Sequence, residues 1–249
     1  MIDASSLTSL INAVYEHTRA GGAPVQLWLR DDDATEPSEL LSRLLVLTER
    51  FAVPVCLAVI PAHATQGLAS QLEGHGSVCV AVHGWSHQNH APASEKKQEL
   101  GAHRAMKTIR AELSTGFEQL SRQYRSRFVP LLVPPWNRID ASVTATLSGI
   151  GFEALSTFGD QSHDSIAMMN THVDIIDWKQ TRGGRETDQL VAELIAQLKQ
   201  GTRPIGLLTH HLVHDDAAWH FLEALFAVVE SHPDMSWVSA QHVLEHSHK

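Results

Sequence analysis

Two groups of side chains with metal-binding potential each follow directly after a strand-like apolar run. Three adjacent aspartates (31–33) follow VQLWLR, and His83 and His87 follow SVCVAV. Adjacent carboxylates repel one another unless a cation or solvent neutralises them, although Asp-rich turns also cap helices. Two imidazoles four residues apart can converge on one ion where the backbone turns between them. Their shared position at strand ends favours a metal site over two unrelated turns.

Three further strand ends carry aromatic or polar groups. The loop PPWNR (134–138) is stiffened by its prolines and contains Trp136, whose flat apolar face suits stacking on a sugar ring, although such a turn also packs a tryptophan with no ligand. DIIDW and LTHH follow later strands, and Leu208 and His210 in LTHH share one strand face. A lone histidine is more often structural, but polar groups at five strand ends favour one common site.

The elements that must position these groups are short apolar strands alternating with helices, a pattern typical of a parallel sheet with crossover helices. The apolar runs predict strands at 25–30, 53–60, 77–82, 128–133, 152–158, 173–177, 204–209 and 236–240. Helical patterns lie at 5–19, 36–51, 66–74, 94–126, 140–149, 186–200 and 215–231, and 159–171 predicts a long loop over one face.

We therefore predict a single domain over residues 1–249, with the α/β fold of a distorted or incomplete (β/α) barrel of about seven parallel strands. An open doubly wound sheet is the alternative. In both folds the ligand binds at the carboxyl ends of the strands, where all five motifs lie.

The composition excludes several classes of partner. A net charge of −9 and only 19 basic residues argue against a nucleic-acid surface, and no apolar stretch approaches the roughly 18 residues of a membrane span. Cys56 and Cys79 each lie in an apolar run, which is typical of buried free thiols. The polar N-terminal segment lacks the pattern of a secretory signal, so we expect a cytoplasmic protein.

Taken in order, the five motifs resemble those of the polysaccharide deacetylase family, carbohydrate esterase family four. The family's motifs TFDD, H[S/T]xxH, RxPY or RxPW, DxxDW and LxH all have counterparts here, in the same order, across residues 30–211. HGWSH is the best match, followed by DIIDW and LTH. The resemblance implies a distorted (β/α) barrel, a metal site of one aspartate and two histidines, and hydrolysis of N- or O-acetyl groups.

The resemblance also implies a role for each matching residue. The residues that resemble the metal ligands are Asp33, His83 and His87. Those that resemble the acid–base machinery are Asp32 as the base, His210 as the acid and Asp177 as the carboxylate that orients the acid. Those that resemble the walls of the substrate pocket are Pro135, Trp136, Trp178 and Leu208.

Two motifs leave alternatives open. The first is RDDDA rather than TFDDG, so Asp31 makes the assignment of base and ligand uncertain by one position. Near the fifth motif, His211 and His214 add imidazoles that compete with His210 for the role of the acid.

The third motif lacks its arginine, because Val133 stands in that place. In the family this side chain holds the catalytic aspartate, and a carboxylate beside a metal still needs to be oriented. Arg30 and Arg138 adjoin motifs and are the candidates to replace it. We predict Arg138, because the PPWNR loop could bring its guanidinium back towards Asp32.

The expected cofactor is one divalent ion. Zn²⁺ suits two imidazoles and one carboxylate, and Co²⁺, Ni²⁺ or Mn²⁺ accept the same ligands. We predict a metal-dependent hydrolase that removes acetyl groups from an N-acetylated or O-acetylated sugar or a related small molecule. The alternatives are a hydrolase of the same fold that cleaves another non-peptide C–N bond, and a non-catalytic protein that binds a sugar or a metal.

Overall fold

The computed structural model describes residues 4–247, and a curled sheet of parallel strands forms its centre. The strands in these residues are β1 (Val25–Ala34), β2 (Val55–Val59), β3 (Val78–His83), β4 (Phe128–Val133), β5 (Ala154–Leu155), β6 (Ala167–Met168), β7 (Val173–Asp174), β8 (Ile205–Thr209) and β9 (Met235–Trp237). They pair in the order β6-β5-β4-β3-β2-β1-β8-β7, and β9 pairs with β1. Because β6 and β7 stand at opposite ends of this order, the barrel is incomplete.

The strand order follows the chain around a curve, and every strand pair is parallel. A doubly wound sheet would instead reverse its order at a switch point near the middle. The incomplete (β/α) barrel predicted from the sequence is therefore confirmed, and the open doubly wound alternative is wrong.

Helices surround the sheet, most of them on its convex side, while the last one packs near Trp28 of β1 on the inner side. They are α1 (Ala4–Arg19), α2 (Glu39–Arg50), α3 (Gln66–Leu72), α4 (Met106–Tyr124), α5 (Ala141–Thr144), α6 (Thr187–Gln200), α7 (Asp216–Ser231) and α8 (Ala240–His246). Side-chain caps mark several starts: Asp140 accepts a bond from the Ser142 amide before α5, and Asp215 one from Ala218 in α7. Among the residues that the structure describes, no helix is both long and apolar enough to cross a membrane.

Strand side chains alternate between two faces, and this alternation separates the core from the site. Leu27 and Leu29 of β1 belong to the large apolar cluster shared with the helices. Trp28 of the same strand belongs to a smaller cluster inside the curve, where the sheet contributes small residues such as Ala58 and Ala81. Small side chains leave room inside the curve for the polar groups that follow at the strand ends.

Three segments differ from the sequence-based expectation. The predicted helix 94–126 begins only at Met106, and the preceding residues form a loop. The stretch 159–171, expected to be a loop, contains β6, whose two residues pair with β5; so short a strand has no periodicity to detect. The helix α8 follows a strand end where the sequence predicted no helix.

A buried polar cluster lies on the outer face of the strand ends. Asp31 accepts hydrogen bonds from the backbone amide of His211 at 2.8 Å and from its Nδ1 at 2.5 Å. Next to it, Thr209 hydrogen-bonds with Nε2 of His214, whose ring packs edge-on against Trp219 at 4.4 Å. Burial lowers the pKa of His211, but the Asp31 carboxylate outweighs it, so the pKa is raised overall.

His214 should make the protein sensitive to acid. Burial lowers its pKa from 6.5 to about 4, so its stabilising contribution is full above pH 6.5 and is lost as the pH falls towards 4. Between pH 7 and pH 5, the wild type should lose roughly 2 kcal/mol more unfolding free energy than His214→Gln. Chemical denaturation with a chelator present measures this. His220→Gln, which changes an exposed histidine of α7, is the control, and equal losses in all three proteins would contradict the prediction.

Candidate active site

Three potential ligand atoms converge where β1 and β3 end. Oδ1 of Asp33 lies 3.0 Å from Nε2 of His83 and 3.4 Å from Nε2 of His87, and the three ligand atoms all lie within 4.8 Å of one another. Nδ1 of His83 donates to the Val133 carbonyl at 2.9 Å, which leaves Nε2 facing the cluster. Such an outer hydrogen bond fixes the tautomer that a metal-binding imidazole requires. The donor set and its spacing therefore fit one divalent ion.

The electrostatics of the cluster suit a cation. Burial alone would raise the pKa of Asp33, but the hydrogen bond from His83 and the imidazoles around it hold that pKa well below its usual value. Burial lowers the pKa of His87, and the neighbouring His83 lowers it further. For His83, the Asp33 hydrogen bond and the charges of Asp32 and Asp33 outweigh burial and raise the pKa. An ionised carboxylate thus faces two imidazoles that it would share with an ion.

Asp32 lies inside the curve of the sheet beside Arg30. The guanidinium donates from Nε to Oδ1 at 2.9 Å and from the second nitrogen, NH2, to Oδ2 at 3.0 Å. It also donates to Oγ of Ser156 at 2.6 Å and to Oδ1 of Asn137 at 2.7 Å. Arg30 is 0% exposed and Asp32 is 2% exposed. A bidentate pair of this kind fixes the orientation of the carboxylate and places a positive charge directly beside it.

His210 stands opposite, at the end of β8. Its Nε2 lies 4.0 Å from Oδ2 of Asp32, and its ring meets Trp178 edge-on with centroids 4.6 Å apart. Trp178 in turn donates from Nε1 to Oδ2 of Asp174 at 2.9 Å. Burial raises the pKa of Asp174, although the nearby His210 acts in the opposite direction.

These groups surround one cavity of about 610 Å³ at the carboxyl ends of the strands. Its floor contains the metal-binding cluster together with Asp32, Asp174 and His210. Its apolar walls are the rings of Trp136, Phe158 and Trp178. A base candidate, an acid candidate and three ligand atoms therefore open into the same space between aromatic rings.

No protein-family model matches the sequence, and no curated protein is significantly similar to it. Solved structures do match. A candidate polysaccharide deacetylase from Mycobacterium smegmatis is 18% identical, with a TM-score of 0.67 over 91% of this chain and 94% of that one. A family 4 acetyl xylan esterase from Clostridium thermocellum, holding a cobalt ion, is 13% identical with a TM-score of 0.54 over 88% and 90%. A peptidoglycan N-acetylglucosamine deacetylase is 16% identical with a TM-score of 0.54 over 87% and 86%.

The chain has the family 4 carbohydrate esterase fold. At these identities the likeness shows the fold alone. The fold places β1, β3 and β8 so that their ends meet, which explains why motifs 50 or more residues apart share one cavity.

The arginine prediction was wrong. In this esterase fold, Asp32 is held by Arg30 and not by Arg138, whose terminal nitrogen NH1 donates to the Lys97 carbonyl at 2.9 Å. Arg30 and Asp32 are two residues apart in a strand, so their side chains share the inner face. The PPWNR loop contributes Asn137 to the guanidinium instead. The positive charge therefore comes from β1, while Val133 occupies the motif position in β4.

The carboxylate proposed to orient His210 was also misassigned. Oδ1 of Asp177 accepts bonds from the backbone amides of Lys179 and Gln180 at 3.0 and 3.1 Å, so Asp177 stabilises a turn outside the cavity. Asp174, three residues earlier, lines the cavity near His210. The backbone turns after β7, so the first aspartate of DIIDW faces inwards and the second does not.

The remaining predicted residues fall into two groups. Trp136 and Trp178 line the cavity, whereas Pro135 and Leu208 are buried and do not line it. Of the three candidate acids, His210 lines the cavity; His211 and His214 lie in the cluster on the outer face of the strands.

Glu99 is a site residue that the sequence did not reveal. It is 0% exposed, and its carboxylate accepts bonds from the amides of Trp85 and Ser86 at 3.1 and 2.7 Å. A Cβ on Gly84, whose φ is +58°, would lie 2.1 Å from Oε2 of Glu99. Glu99 and Gly84 together shape the turn that presents His87. Nothing in the polar stretch EKKQE distinguishes Glu99 from Glu95, so no local signal was available.

The backbone is strained where the cavity is lined. Five non-glycine residues that line it have positive φ: Asp33 (75°), His87 (57°), Trp136 (56°), Asn137 (55°) and Arg182 (59°). Each left-handed residue costs roughly 1–2 kcal/mol relative to the usual regions. The left-handed backbone therefore places these five side chains in positions that a relaxed strand or helix would not provide.

Proposed function

We propose that this protein is a metal-dependent deacetylase that removes acetyl groups from N-acetylated sugars or related small molecules. The observation that carries the proposal is the convergence of Asp33, His83 and His87 beside both Asp32 and His210 in one cavity. A purely metal-storing site would need the ligands but not a buried, oriented carboxylate on one side and an imidazole on the other.

Asp33, His83 and His87 would hold the ion. A divalent ion at this position supplies Lewis-acid chemistry, which polarises the acetyl carbonyl and lowers the pKa of water. Zn²⁺ is the ion we propose, with Co²⁺, Ni²⁺ and Mn²⁺ as possible substitutes.

The chain's own groups would handle the protons. Asp32, kept in orientation by Arg30, would take a proton from the attacking water at its carboxylate. His210 would give a proton to the departing nitrogen, because an amide anion is too poor a leaving group. Nδ1 of His210 is buried with no hydrogen-bond partner among the described residues, so Asp174 would act on it through its charge.

The aromatic walls favour a sugar ring as the substrate's body. Trp178 is 42% exposed in spite of its size, and the ring of Trp136 lies 4.4 Å from that of His87. Two indole rings flanking the reacting centre offer flat apolar faces of the kind on which the C–H faces of a sugar can stack. This arrangement supports a carbohydrate over a small aliphatic amide.

Metal content and acetate release, measured together, test the proposal. The purified protein should carry about one divalent ion per chain and release acetate from N-acetylated sugars. His87→Ala should abolish both metal binding and activity, because the site loses one of three ligands. His90→Ala, in the same loop but outside the cluster, should retain both. If the metal-loaded protein releases no acetate but cleaves another C–N bond, the acetyl substrate is wrong and the metal site is still supported.

A further inference from the structure

A ring of four cations surrounds the mouth of the cavity. Lys96, Lys97, Arg138 and Arg182 all line it and are here called the cationic rim. Lys96 and Lys97 come from the loop before α4, Arg138 from the loop after β4 and Arg182 from the loop after Trp178. The chain as a whole has a net charge of −9, so the cationic rim has the opposite sign to the protein's net charge.

The rim cations lack acidic partners. Among residues 4–247, no carboxylate oxygen lies within 4.0 Å of their side-chain nitrogens. The acids beside them in sequence are used elsewhere: Glu95 faces His103 at 3.3 Å, and Glu99 holds the turn before His87. Asp140 caps α5, and Asp177 caps its own turn. On an ordinary solvated surface, positive and negative side chains are interspersed, whereas the positive charges of the cationic rim have no ion-pair partners among the described residues.

The rim is partly preorganised. Nζ of Lys97 lies 5.8 Å from the ring centroid of Trp136, a cation–π distance. The Lys97 carbonyl accepts a hydrogen bond from Arg138 at 2.9 Å, which ties the two loops together. The cations therefore stand beside the aromatic wall that would bind the sugar.

The acids of the cavity floor do not account for the rim. Asp32 is neutralised by the bidentate contact with Arg30. Asp33 faces two imidazoles, and Asp174 accepts a bond from Trp178. Each floor carboxylate thus has a contact of its own, and the charge at the mouth is available to a ligand.

We propose that the substrate carries an anionic group, a phosphate or a carboxylate, and that the cationic rim binds this group while the acetyl group reaches the metal-binding cluster. This inference rests on the proposed deacetylase function and specifies its substrate class. Guanidinium and ammonium groups bind phosphate and carboxylate through charge-assisted hydrogen bonds. A positively charged mouth also accelerates the encounter with an anion.

The experiment compares kcat/KM for N-acetylglucosamine with that for its 6-phosphate and 1-phosphate, and for N-acetylmuramic acid as a carboxylate. We expect kcat/KM to be at least about tenfold higher for an anionic sugar, and the advantage to shrink as ionic strength rises. Preference for the phosphates or for the carboxylate identifies the source of the charge. The double variant Lys97→Gln/Arg138→Gln should reduce the ratio of anionic to neutral kcat/KM roughly 10–100-fold. Lys199→Gln, at an exposed lysine of α6 away from the cavity, is the matched control.

A second measurement separates failure of this inference from failure of the proposed function. Tryptophan fluorescence reports binding of the same sugars to the Asp32→Asn protein without turnover. If acetate is released from neutral and anionic sugars with equal kcat/KM, the proposal of an anionic substrate is wrong and the deacetylase function is still supported. If the Lys97→Gln/Arg138→Gln substitutions leave the affinity for the phosphate sugars unchanged, the inference is also overturned, because the metal ion and not the cationic rim would then bind the anionic group. If sugar binding depends on the cationic rim but the protein with Asp32 releases no acetate, the anion site is supported and the proposed deacetylase function is rejected.

Discussion

Replacement of Asp32 by Asn is expected to reduce kcat by roughly 10²–10⁴-fold while metal content stays at the wild-type level. The amide keeps the size of the carboxylate but cannot take up the proton from the attacking water. Metal binding should survive because Asp32 contacts Arg30, whereas the ligand atoms belong to Asp33 and the two histidines. Initial rates of acetate release and metal analysis of the same preparation measure the two effects.

The companion variants locate the base within the aspartate run. Asp33→Asn should remove the ion, because it changes a ligand. Asp31→Asn should weaken folding instead, because Asp31 pairs with His211 on the outer face. Full activity in Asp32→Asn, together with a metal-loaded Asp31→Asn protein that has lost activity, would show that the base is Asp31. His210→Ala should lower kcat with metal retained, and an unchanged rate would remove its assignment as the acid.

Replacement of Arg30 by Met is expected to cost roughly 3–5 kcal/mol of unfolding free energy, because it leaves the carboxylate of Asp32 buried without its counter-charge. The loss should be accompanied by a fall in kcat, since Asp32 would no longer be held in orientation. Arg30→Lys should recover only part of both quantities, because an ammonium group cannot reproduce the bidentate contact. Denaturant titration in chelator and acetate-release kinetics measure the two quantities.

Arg138→Met is the matched control for Arg30. Its guanidinium contacts a backbone carbonyl at the surface, so the unfolding free energy should change by no more than about 0.5 kcal/mol. The double variant Arg30→Met/Asp32→Asn should be more stable than Arg30→Met alone, because the unpaired charge is gone. If Arg138→Met lowered the unfolding free energy and kcat more than Arg30→Met does, Arg138 of the PPWNR loop, and not Arg30 of β1, would hold Asp32.

Much of the fold was predictable because its signals are local and repeated. Apolar runs of strand length alternate with helical patterns along the chain, and this alternation by itself requires a parallel sheet with helices outside. All eight predicted strand regions contain a strand or strand end of the structure. The two-residue strand β6 escaped prediction, since its pairing depends on β5 and on no pattern of its own. The loop before α4 was predicted as helix although it contains Gly101, a residue that destabilises a helix interior.

The order of the motifs along the chain was enough to show which residues would gather at the site. Each motif directly follows a strand, and parallel strands all point their carboxyl ends towards one edge, so Asp32, Asp33, His83, His87 and His210 had to lie near one another. The spacing within a strand also required that Arg30 and Asp32 share a face.

Which of these groups contact one another depends on the packing of the whole fold. Arg30 and not Arg138 contacts Asp32. Asp174 and not Asp177 lies near His210. Both outcomes depend on the directions in which loops leave the strands, and those directions depend on packing between distant segments. Glu99 reaches its turn from a loop with no pattern, and the four rim cations come from three segments that only the curled sheet brings together. A side chain's partner at long range is set by the whole backbone path, whereas its strand face is set by its immediate neighbours. Local rules therefore placed the residues at the right edge of the sheet, and the packed fold chose their contacts.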